Sequence, residues 1–330
     1  MNLKYMDWIF NLSALAILSL AIGAIVLVVA LVAMLFGYSF KLFLLRGLWL
    51  MLFPWLGWAY GTLVERNRFK IKRTEIVSQR LPSAFDGYRV VHISDLHLMS
   101  FAGREGALAR AVEKINSLDA DLIAFTGDLV TLGPDELDGL QEILASAKAK
   151  DGVYAVLGNH DYSEYRRHDS QQAKREALEE LKRRITQMGW QLLLNENHTI
   201  ARGEDKISII GVENISGNRS FRTYGDFDKA RTGADGAYQI LLSHDPTHWR
   251  AEVLPKSDID LTLSGHTHAM QISLLGWSPS SLMYDEYRGL YHEGEQYLYV
   301  NTGLGQTAVN ARFGVAPEIT LITLRGKKTN

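Results

Sequence analysis

The sequence contains no cysteine among its 330 residues. This absence excludes disulfide bonds, thiolate metal sites and cysteine nucleophiles. Any metal ion must therefore be held by imidazole, carboxylate or amide oxygen groups. The absence leaves the cellular compartment open, because a chain without thiols tolerates either side of a membrane.

The chain also lacks a basic excess, since its formal net charge at pH 7 is −2. Proteins that bind nucleic acid use a broad positive field, so we expect no nucleic-acid partner here. The sequence shows no internal repeat and no low-complexity linker. Its length is sufficient for a membrane segment followed by one large domain.

Charge is missing altogether from Ile9 to Phe40, and the run from Leu12 to Phe36 is almost wholly apolar. A span needs about 20 apolar residues, so this stretch predicts a transmembrane helix. A buried soluble helix would show a polar face, and the apolar core of a cleaved signal peptide would cover only about 7–15 residues. The second apolar run, Gly47 to Val64, predicts either a short second span, which we favour, or a helix in the headgroup region.

Basic residues predict the orientation of the chain in the membrane. Lys4 precedes the first apolar run, Lys41 and Arg46 lie between the two runs, and six further bases follow within residues 66–80. Cytoplasmic flanks carry the excess of Lys and Arg, so we expect the soluble domain on the cytoplasmic side of the inner membrane, with one span or with two. The expected division is a membrane anchor over residues 1–70 and a catalytic domain over residues 74–327.

After Arg73 the pattern becomes that of an α/β domain. Apolar runs over 88–94, 121–126 and 153–157 predict strands, and the segments 104–117 and 134–148 between them predict helices. This alternation indicates a parallel βαβαβ core. A charged helix is expected over 171–188. Further strands are expected at 191–194, 198–202, 206–212, 238–243, 258–264, 296–301 and 318–324, and a long surface connection at 213–236.

Polar side chains follow five of the predicted strands. In chain order these are Asp95 and His97, then Asp128, then Asn159 and His160, then His244, and finally His266 and His268. Open α/β sheets bind their ligands at the carboxyl edge, so we expect these side chains to converge at one sheet edge. Isolated histidines are usually structural, but eight such side chains at five strand ends indicate a metal site.

The residue types suit a pair of divalent ions. Two ions about 3.5–4 Å apart need a bridging carboxylate and several neutral imidazoles. Their combined charge lowers the pKa of a bridging water, which supplies hydroxide at neutral pH, and offsets the charge of a phosphate ester. His266 and His268 point the same way on an extended segment, so each can serve one ion.

These motifs also resemble a known family. Asp-x-His, Gly-Asp, Gly-Asn-His-Asp, a lone His and Gly-His-x-His, in this order, are similar to those of the calcineurin-like metallophosphoesterases, in particular the bacterial membrane-anchored branch. The resemblance covers roughly residues 74–327. It implies a four-layer α/β/β/α sandwich, preceded here by N-terminal transmembrane helices. One minor departure is Met99, where close relatives often have Gly.

The resemblance implies a role for each residue. Asp95, His97 and His268 would hold a first metal ion, Asn159, His244 and His266 would hold a second, and Asp128 would bridge both. His160 would stabilise the transition state and protonate the leaving oxygen, with Asp161 orienting it. The donor set suits Mn, Fe, Zn, Co or Mg, so the sequence leaves the identity of the two divalent ions open.

We therefore expect a membrane-anchored enzyme that hydrolyses phosphoester or diphosphate bonds by attack of a metal-bridging hydroxide. A lipid-linked substrate is one expectation, because some membrane-anchored relatives cleave UDP-2,3-diacylglucosamine and release UMP. Alternatives are a general or cyclic-nucleotide phosphodiesterase, a lipid phosphatase and, least favoured, a nuclease. A non-catalytic metal-binding membrane scaffold is the alternative from another class, although such a protein would be expected to have lost ligands.

Three residues outside these motifs carry weaker predictions. His92 lies inside the first central strand, and we expect a hydrogen-bonded core histidine rather than a ligand. Arg219 and Arg222 lie in the long connection. Each could clamp a substrate phosphate, but a solvated loop arginine is the favoured interpretation.

Overall fold

The computed structural model describes residues 3–218 and 220–327. The chain begins with three helices, α1 (Leu3–Leu35), α2 (Phe40–Leu48) and α3 (Phe53–Leu63). A short 3₁₀ segment joins α2 to α3, so the second apolar run is helical over most of its length. Two stretches, Asn11–Leu35 and Phe40–Asn67, are long and apolar enough to cross a membrane.

These helices form an antiparallel hairpin. The Ser19 hydroxyl on α1 donates to the Met51 carbonyl over 3.0 Å and accepts from the Trp55 indole over 2.9 Å. Most of the large apolar side chains from residue 11 onward in the hairpin are exposed, and Leu35, Phe36 and Leu63 are more than 70% exposed. Such a surface is unfavourable in water and suits a lipid environment.

The described residues after α3 fold into twelve strands and five further helices. The strands are β1 (Lys70–Ser78), β2 (Arg89–Ile93), β3 (Leu122–Phe125), β4 (Val153–Ala155), β5 (Gln191–Leu192), β6 (Glu196–Arg202), β7 (Asp205–Gly211), β8 (Tyr238–Leu242), β9 (Leu261–Ser264), β10 (Gly289–Glu293), β11 (Gln296–Val300) and β12 (Glu318–Gly326). The helices are α4 (Glu105–Asn116), α5 (Gln141–Ala145), α6 (Gln171–Gln187), α7 (Phe227–Arg231) and α8 (Leu254–Lys256).

The strands form two six-stranded sheets. The first has the order β1-β12-β2-β3-β4-β5, and the second has the order β10-β11-β9-β8-β7-β6. Strands β2, β3, β4 and β5 run parallel to one another, as do β7, β8, β9 and β11. The parallel βαβαβ core that the sequence predicts is therefore confirmed.

Three buried clusters show how the layers stack. Ile123 and Phe125 of the first sheet pack against α4 and α6, whereas Leu122 and Ala124 face the second sheet. The opposite face of the second sheet packs on α7 and on a single π-helical turn, Trp249–Val253. Alternate residues of β3 thus pack into two different hydrophobic cores, one under the helices and one between the sheets. This explains why β3 is apolar at every position. The result is the predicted four-layer α/β/β/α sandwich.

Some predicted elements differ from the structure. The helix expected over 134–148 is a 3₁₀ turn, Pro134–Leu137, followed by the short α5. Gly139 separates the two with φ +74°, a conformation that ends a helix. Strands β1 and β10 were not predicted, and the long connection of residues 213–236 contains α7. Since β1 starts at Lys70, the first sheet begins four residues before the expected catalytic domain.

Candidate metal centre

The predicted ligands follow β2, β3, β4, β8 and β9, at the carboxyl ends of these strands. These strands belong to two sheets rather than to one edge, which corrects the sequence-based expectation. The two sets of strand ends nevertheless meet, because His268 Nε2 lies 3.3 Å from Asp95 Oδ1 and His244 Nε2 lies 3.2 Å from Asp128 Oδ2. The site thus lies where the carboxyl edges of both sheets face each other.

One group of side chains consists of Asp95, His97 and His268. Their potential ligand atoms all lie within 4.8 Å of one another, and all three residues are buried. The Nε2 atoms of His97 and His268 are 3.1 Å apart. The Asp95 carboxylate also accepts the backbone N–H of His266, at 3.1 Å from each oxygen, which fixes its position.

A second group consists of Asp128, His244 and His266, with the same spread of ligand atoms. Asn159 joins this group, because its Oδ1 lies 2.9 Å from His266 Nδ1 and 3.2 Å from His244 Nε2. The other ring nitrogen of His244, Nδ1, lies 2.7 Å from the carbonyl oxygen of Thr126, and this contact directs Nε2 toward Asp128. The structure therefore brings together all the residues that the resemblance assigns to a second ion.

Asp128 lies between the two groups. Its Oδ2 is 3.2 Å from His244 Nε2 in one group and 3.5 Å from His97 Nε2 in the other. Ligands bound to one ion at about 2.1 Å are expected about 3 Å apart, so these separations fit metal coordination. The donors are imidazole, carboxylate and amide oxygen groups, which suit divalent ions such as Mn²⁺ or Zn²⁺.

The carboxylates of the site stabilise positive charge on the groups around them. Burial raises the pKa of the Asp128 carboxyl, but the neighbouring His244 and His160 imidazoles lower it well below its usual range. Burial lowers the pKa of His244, but the Asp128 and Asp95 charges raise it to about 10. Asp128 is thus held as a carboxylate, with its negative charge directed toward the histidines.

The backbone is strained at the predicted ligands. Five of the seven have φ between +40° and +69°, namely Asp95, His97, Asp128, His266 and His268. In residues other than Gly this conformation has a higher free energy, and folded proteins retain it mainly at functional sites. Gly158 is required by a close approach, since a Cβ there would lie 2.2 Å from Asp128 Oδ1. These features show a backbone arranged to bring polar side chains together.

His160 lies at the edge of the two groups. Its Nδ1 bonds the Thr131 carbonyl at 2.9 Å, and its ring stacks on Tyr165 with the centroids 4.0 Å apart. Its backbone N–H donates to Asp128 Oδ1 over 2.9 Å. One potential ligand atom of His160 also lies within 4.8 Å of those of His97 and Asp128. The imidazole is thus fixed beside the centre, within reach of a bound group.

Asp161 has a different place from the one expected. Its carboxylate accepts backbone N–H groups at 2.8–3.1 Å from Gly158, Asp128, Leu129 and Val130. The hydrogen-bond partner of His160 Nδ1 is the Thr131 carbonyl and not Asp161. Asp161 therefore acts on the backbone of two strand ends, and any effect on His160 is indirect.

Several residues near the centre were missed by the sequence reasoning. Thr131 Oγ1 lies 3.3 Å from His97 Nδ1, and Tyr165 Oη accepts from Asn159 Nδ2 over 2.8 Å. The buried Arg312 reaches His268 Nδ1 at 3.4 Å, and Tyr284 Oη lies 3.2 Å from His266 Nε2. These contacts come from side chains on loops, for which the sequence pattern carries no signal.

The weaker predictions have separate outcomes. His92 is buried, and its Nε2 lies 2.9 Å from the Thr126 hydroxyl, which confirms a core histidine. Arg222 donates to Glu164 over 3.1 Å and is a surface residue, as favoured. Arg219 lies outside the described residues. The long connection does reach the centre, because the Phe221 ring meets His266 edge-on at 4.6 Å.

Comparison with known proteins agrees with this geometry. A family model described as calcineurin-like phosphoesterase matches residues 88–270, which include every predicted ligand and more than half of the chain. YkuE of Bacillus subtilis, an uncharacterized metallophosphoesterase, is 31% identical to this chain over 286 residues. That alignment covers 83% of this chain and 91% of YkuE.

Two other relatives have names that mention a membrane or a lipid. A transmembrane protein with metallophosphoesterase domain from Danio rerio is 32% identical over 81% of this chain and 60% of its own length. The UDP-2,3-diacylglucosamine pyrophosphatase LpxG of Chlamydia trachomatis is 29% identical over 82% of this chain and 93% of its own length. The chain therefore belongs to the calcineurin-like phosphoesterase family, and it is a metal-dependent phosphoesterase.

Proposed function

We propose that this protein hydrolyses phosphoester or diphosphate bonds at a membrane surface with two divalent ions. Asp95, His97 and His268 hold one ion, Asn159, His244 and His266 hold the other, and Asp128 bridges them. The observation that carries this proposal is the position of Asp128 Oδ2, which lies 3.2 Å and 3.5 Å from imidazoles of the two different groups. A carboxylate oxygen in this position could bind both ions of a two-metal hydrolytic site.

Divalent ions held by these residues would supply activated water at neutral pH and would offset the negative charge of the phosphate. The chain supplies the remaining parts. His160, which the Thr131 carbonyl fixes through Nδ1, presents Nε2 to the leaving oxygen and donates a proton to it. Asp161 holds the amides that follow β3 and β4 and so keeps Asp128 in place.

The surface around the centre supports a lipid-linked substrate. After His268 the chain exposes Leu274, Leu275, Trp277, Leu282 and Met283, each more than half exposed and Leu275 fully so. Phe313 pairs with Ile272 of this segment, and its ring meets that of Tyr60 on α3 at 6.4 Å. This apolar surface is continuous with the membrane-end helices α1, α2 and α3, and such a surface suits an acylated molecule. We therefore propose that the substrate is a lipid-linked phosphoester such as UDP-2,3-diacylglucosamine.

The location of the protein is part of the proposal. We propose that α1 and the α2–α3 run cross the inner membrane and that the catalytic domain faces the cytoplasm. The basic residues support this orientation, because Lys4 and the six bases of residues 66–80 lie at one end of the hairpin. Lys41 and Arg46, both in α2, are toward its other end.

Hydrolysis by the detergent-purified protein in Mn²⁺ tests the proposed activity. The two substrates are a chromogenic phosphodiester and a chromogenic phosphomonoester, followed by UDP-2,3-diacylglucosamine. We expect cleavage of the diester and of the diphosphate, and loss of both on removal of the metal. Preference for the monoester would favour a phosphatase. A metal-loaded wild-type protein that cleaves none of the three would favour the scaffold.

A further inference from the structure

A cavity of about 280 Å³ lies between the membrane-end helices and the catalytic domain. Trp58, Thr62 and Arg66 line it from the side of the second apolar stretch, and Arg104, Thr131 and Gln306 line it from the catalytic domain. It therefore lies where the chain leaves the apolar region. None of the residues proposed to bind metal takes part in its wall.

Two arginines face this cavity without a carboxylate partner among the described residues. Arg66 donates to the Asn310 carbonyl over 3.5 Å, and its Nε atom is buried without a partner. Arg104 donates to the Ser100 carbonyl over 2.8 Å and to Asn67 Oδ1 over 2.6 Å. Burial, together with the charges of Arg66 and Arg110, lowers the pKa of Arg104 to about 10. Two like charges held close together create a site for an anion.

A third side chain in the wall also has free hydrogen-bonding capacity. Gln306 is 4% exposed, and neither its amide nitrogen nor its amide oxygen has a partner among the described residues. Buried amides are normally hydrogen-bonded, so an unpaired one in a cavity wall indicates a polar ligand. The cavity wall thus contains the guanidinium groups of Arg66 and Arg104 and the unpaired amide of Gln306.

The cavity is adjacent to the metal centre at one end. Thr131 lies in its wall, while the Thr131 hydroxyl is 3.3 Å from His97 Nδ1 and its carbonyl is 2.9 Å from His160 Nδ1. The other end is formed by Trp58 and Thr62, within the stretch Phe40–Asn67 that is apolar enough to cross a membrane. A ligand in this cavity would lie between the bilayer and the reacting centre.

We propose that this cavity binds the phosphate group of a membrane lipid, held by Arg66 and Arg104 with the Gln306 amide. Guanidinium groups bind phosphate oxygens through paired, charge-assisted hydrogen bonds. The phosphate has two possible sources. It belongs either to the substrate, as the lipid-side phosphate of a diphosphate, or to a bystander anionic phospholipid. The substrate source rests on the proposed function, and the bystander source does not.

Lipid binding by the full-length, detergent-purified protein tests the bystander source without any enzyme activity. The probe is dimyristoylphosphatidylglycerol, compared with dimyristoylphosphatidylcholine, with bound lipid measured by native mass spectrometry. Arg66→Gln and Arg104→Gln are expected to weaken binding of the anionic lipid about tenfold, the effect of losing a hydrogen bond to a charged group. The exposed Lys70, just beyond Arg66 and outside the cavity wall, provides the control Lys70→Gln, which should bind as the wild type does.

Kinetics test the substrate source. The substrates are P1-uridine P2-dodecyl diphosphate, which carries a lipid-side phosphate, and p-nitrophenyl uridine 5′-phosphate, which has none. The ratio of kcat/KM for the first to that for the second should fall about tenfold in both arginine variants and remain unchanged in Lys70→Gln. A fall in this ratio assigns the site to the substrate, and weaker phosphatidylglycerol binding assigns it to a bystander lipid. Wild-type values in both experiments would overturn the proposal.

These outcomes separate this proposal from the proposed function. If the wild-type protein cleaved no ester, the proposed function would fail, while the binding experiment would still decide whether the cavity takes a lipid phosphate. Arg66→Lys provides a check on folding, since it keeps the charge and loses only the planar fork of donors. Its binding of the anionic lipid should lie between those of the wild type and Arg66→Gln.

Discussion

The backbone N–H of Asp128 donates to the buried carboxylate of Asp161 over 2.8 Å. The same carboxylate accepts three more backbone N–H groups from the turns after β3 and β4. Burial and the nearby Asp128 charge raise the pKa of Asp161 to about 7, while the backbone N–H donors around it favour its charged form. The two aspartates therefore have different tasks, since Asp128 faces the histidines and Asp161 keeps the chain around Asp128 in position.

Asp161→Asn should destabilise the protein although it keeps the size of the side chain. The new NH₂ group would face backbone N–H donors, which leaves buried groups unpaired at a cost of about 1–3 kcal/mol. Thermal unfolding in detergent should show a melting temperature lower by roughly 2–4 °C for each kcal/mol. Asp135→Asn is the matched control, because that side chain is 63% exposed and pairs with Arg166 at the surface. A variant that melts with the wild type would rule out this role for Asp161.

His160→Ala should slow hydrolysis about 10²–10⁴-fold, the usual contribution of general acid catalysis. Its content of bound metal should stay at the wild-type value, because the proposed ligands of both ions remain. His168→Ala is the control, since His168 bonds the Ser163 carbonyl on a nearby loop. Steady-state rates and metal analysis of the same samples decide between the roles. Loss of metal in His160→Ala would show that His160 is a ligand.

The stability of the protein should depend on pH through His92. Burial lowers the pKa of His92 to about 3, from 6.5 for an ordinary histidine. Between these values the unfolded chain binds a proton that the folded chain does not. The free energy of unfolding therefore falls as the pH drops below about 6.5, by at most about 1.4 kcal/mol per pH unit.

His92→Gln should remove this contribution. Denaturant unfolding gives the free energy of unfolding at pH 7.0 and at pH 5.0. Between these pH values it should decrease by up to about 2 kcal/mol less in His92→Gln than in the wild type. His198→Gln, at an exposed position of β6, should keep the loss of the wild type. Equal losses in wild type and His92→Gln would contradict a buried neutral imidazole.

The absence of cysteine makes the membrane orientation accessible to labelling. Tyr38 lies in the turn between α1 and α2 and is 61% exposed, and the Glu179 side chain on α6 is 70% exposed. In intact spheroplasts a membrane-impermeant maleimide should label Tyr38→Cys but not Glu179→Cys, which should react only after lysis. Labelling of Glu179→Cys in intact spheroplasts would place the catalytic domain outside. If neither residue reacted before lysis, both would lie on the cytoplasmic side, and the second apolar run would not cross the membrane.

The sequence predicted the elements whose pattern follows from burial. Strands such as β3 are buried on both faces, so they read as continuous apolar runs with polar residues where the chain leaves the sheet. The ligand side chains could be predicted for the same reason, because they follow these runs directly. Most of the predicted ligands lie within hydrogen-bond distance of another predicted ligand.

The elements that the sequence did not predict depend on their neighbours. β1 carries Lys70, Lys72, Arg73 and Glu75 and lies at the edge of its sheet, where it pairs with β12. β10 is an equally exposed edge strand. Charged edge strands have weak local preference and form because a partner strand is present. The contact of Arg312 with His268 could not be predicted either, because only the folded chain brings a residue so distant along the sequence to the centre.

The number of bound ions tests most directly whether Asp128 joins two metal positions. Equilibrium dialysis of the full-length protein against Mn²⁺, followed by elemental analysis, gives this number per chain. We expect two ions in the wild type and in Asp119→Asn, an exposed aspartate whose φ of +45° resembles that of Asp128. Asp128→Asn should bind fewer ions and lose hydrolysis by orders of magnitude. One ion per wild-type chain, or two ions and a wild-type rate in Asp128→Asn, would contradict the dinuclear centre.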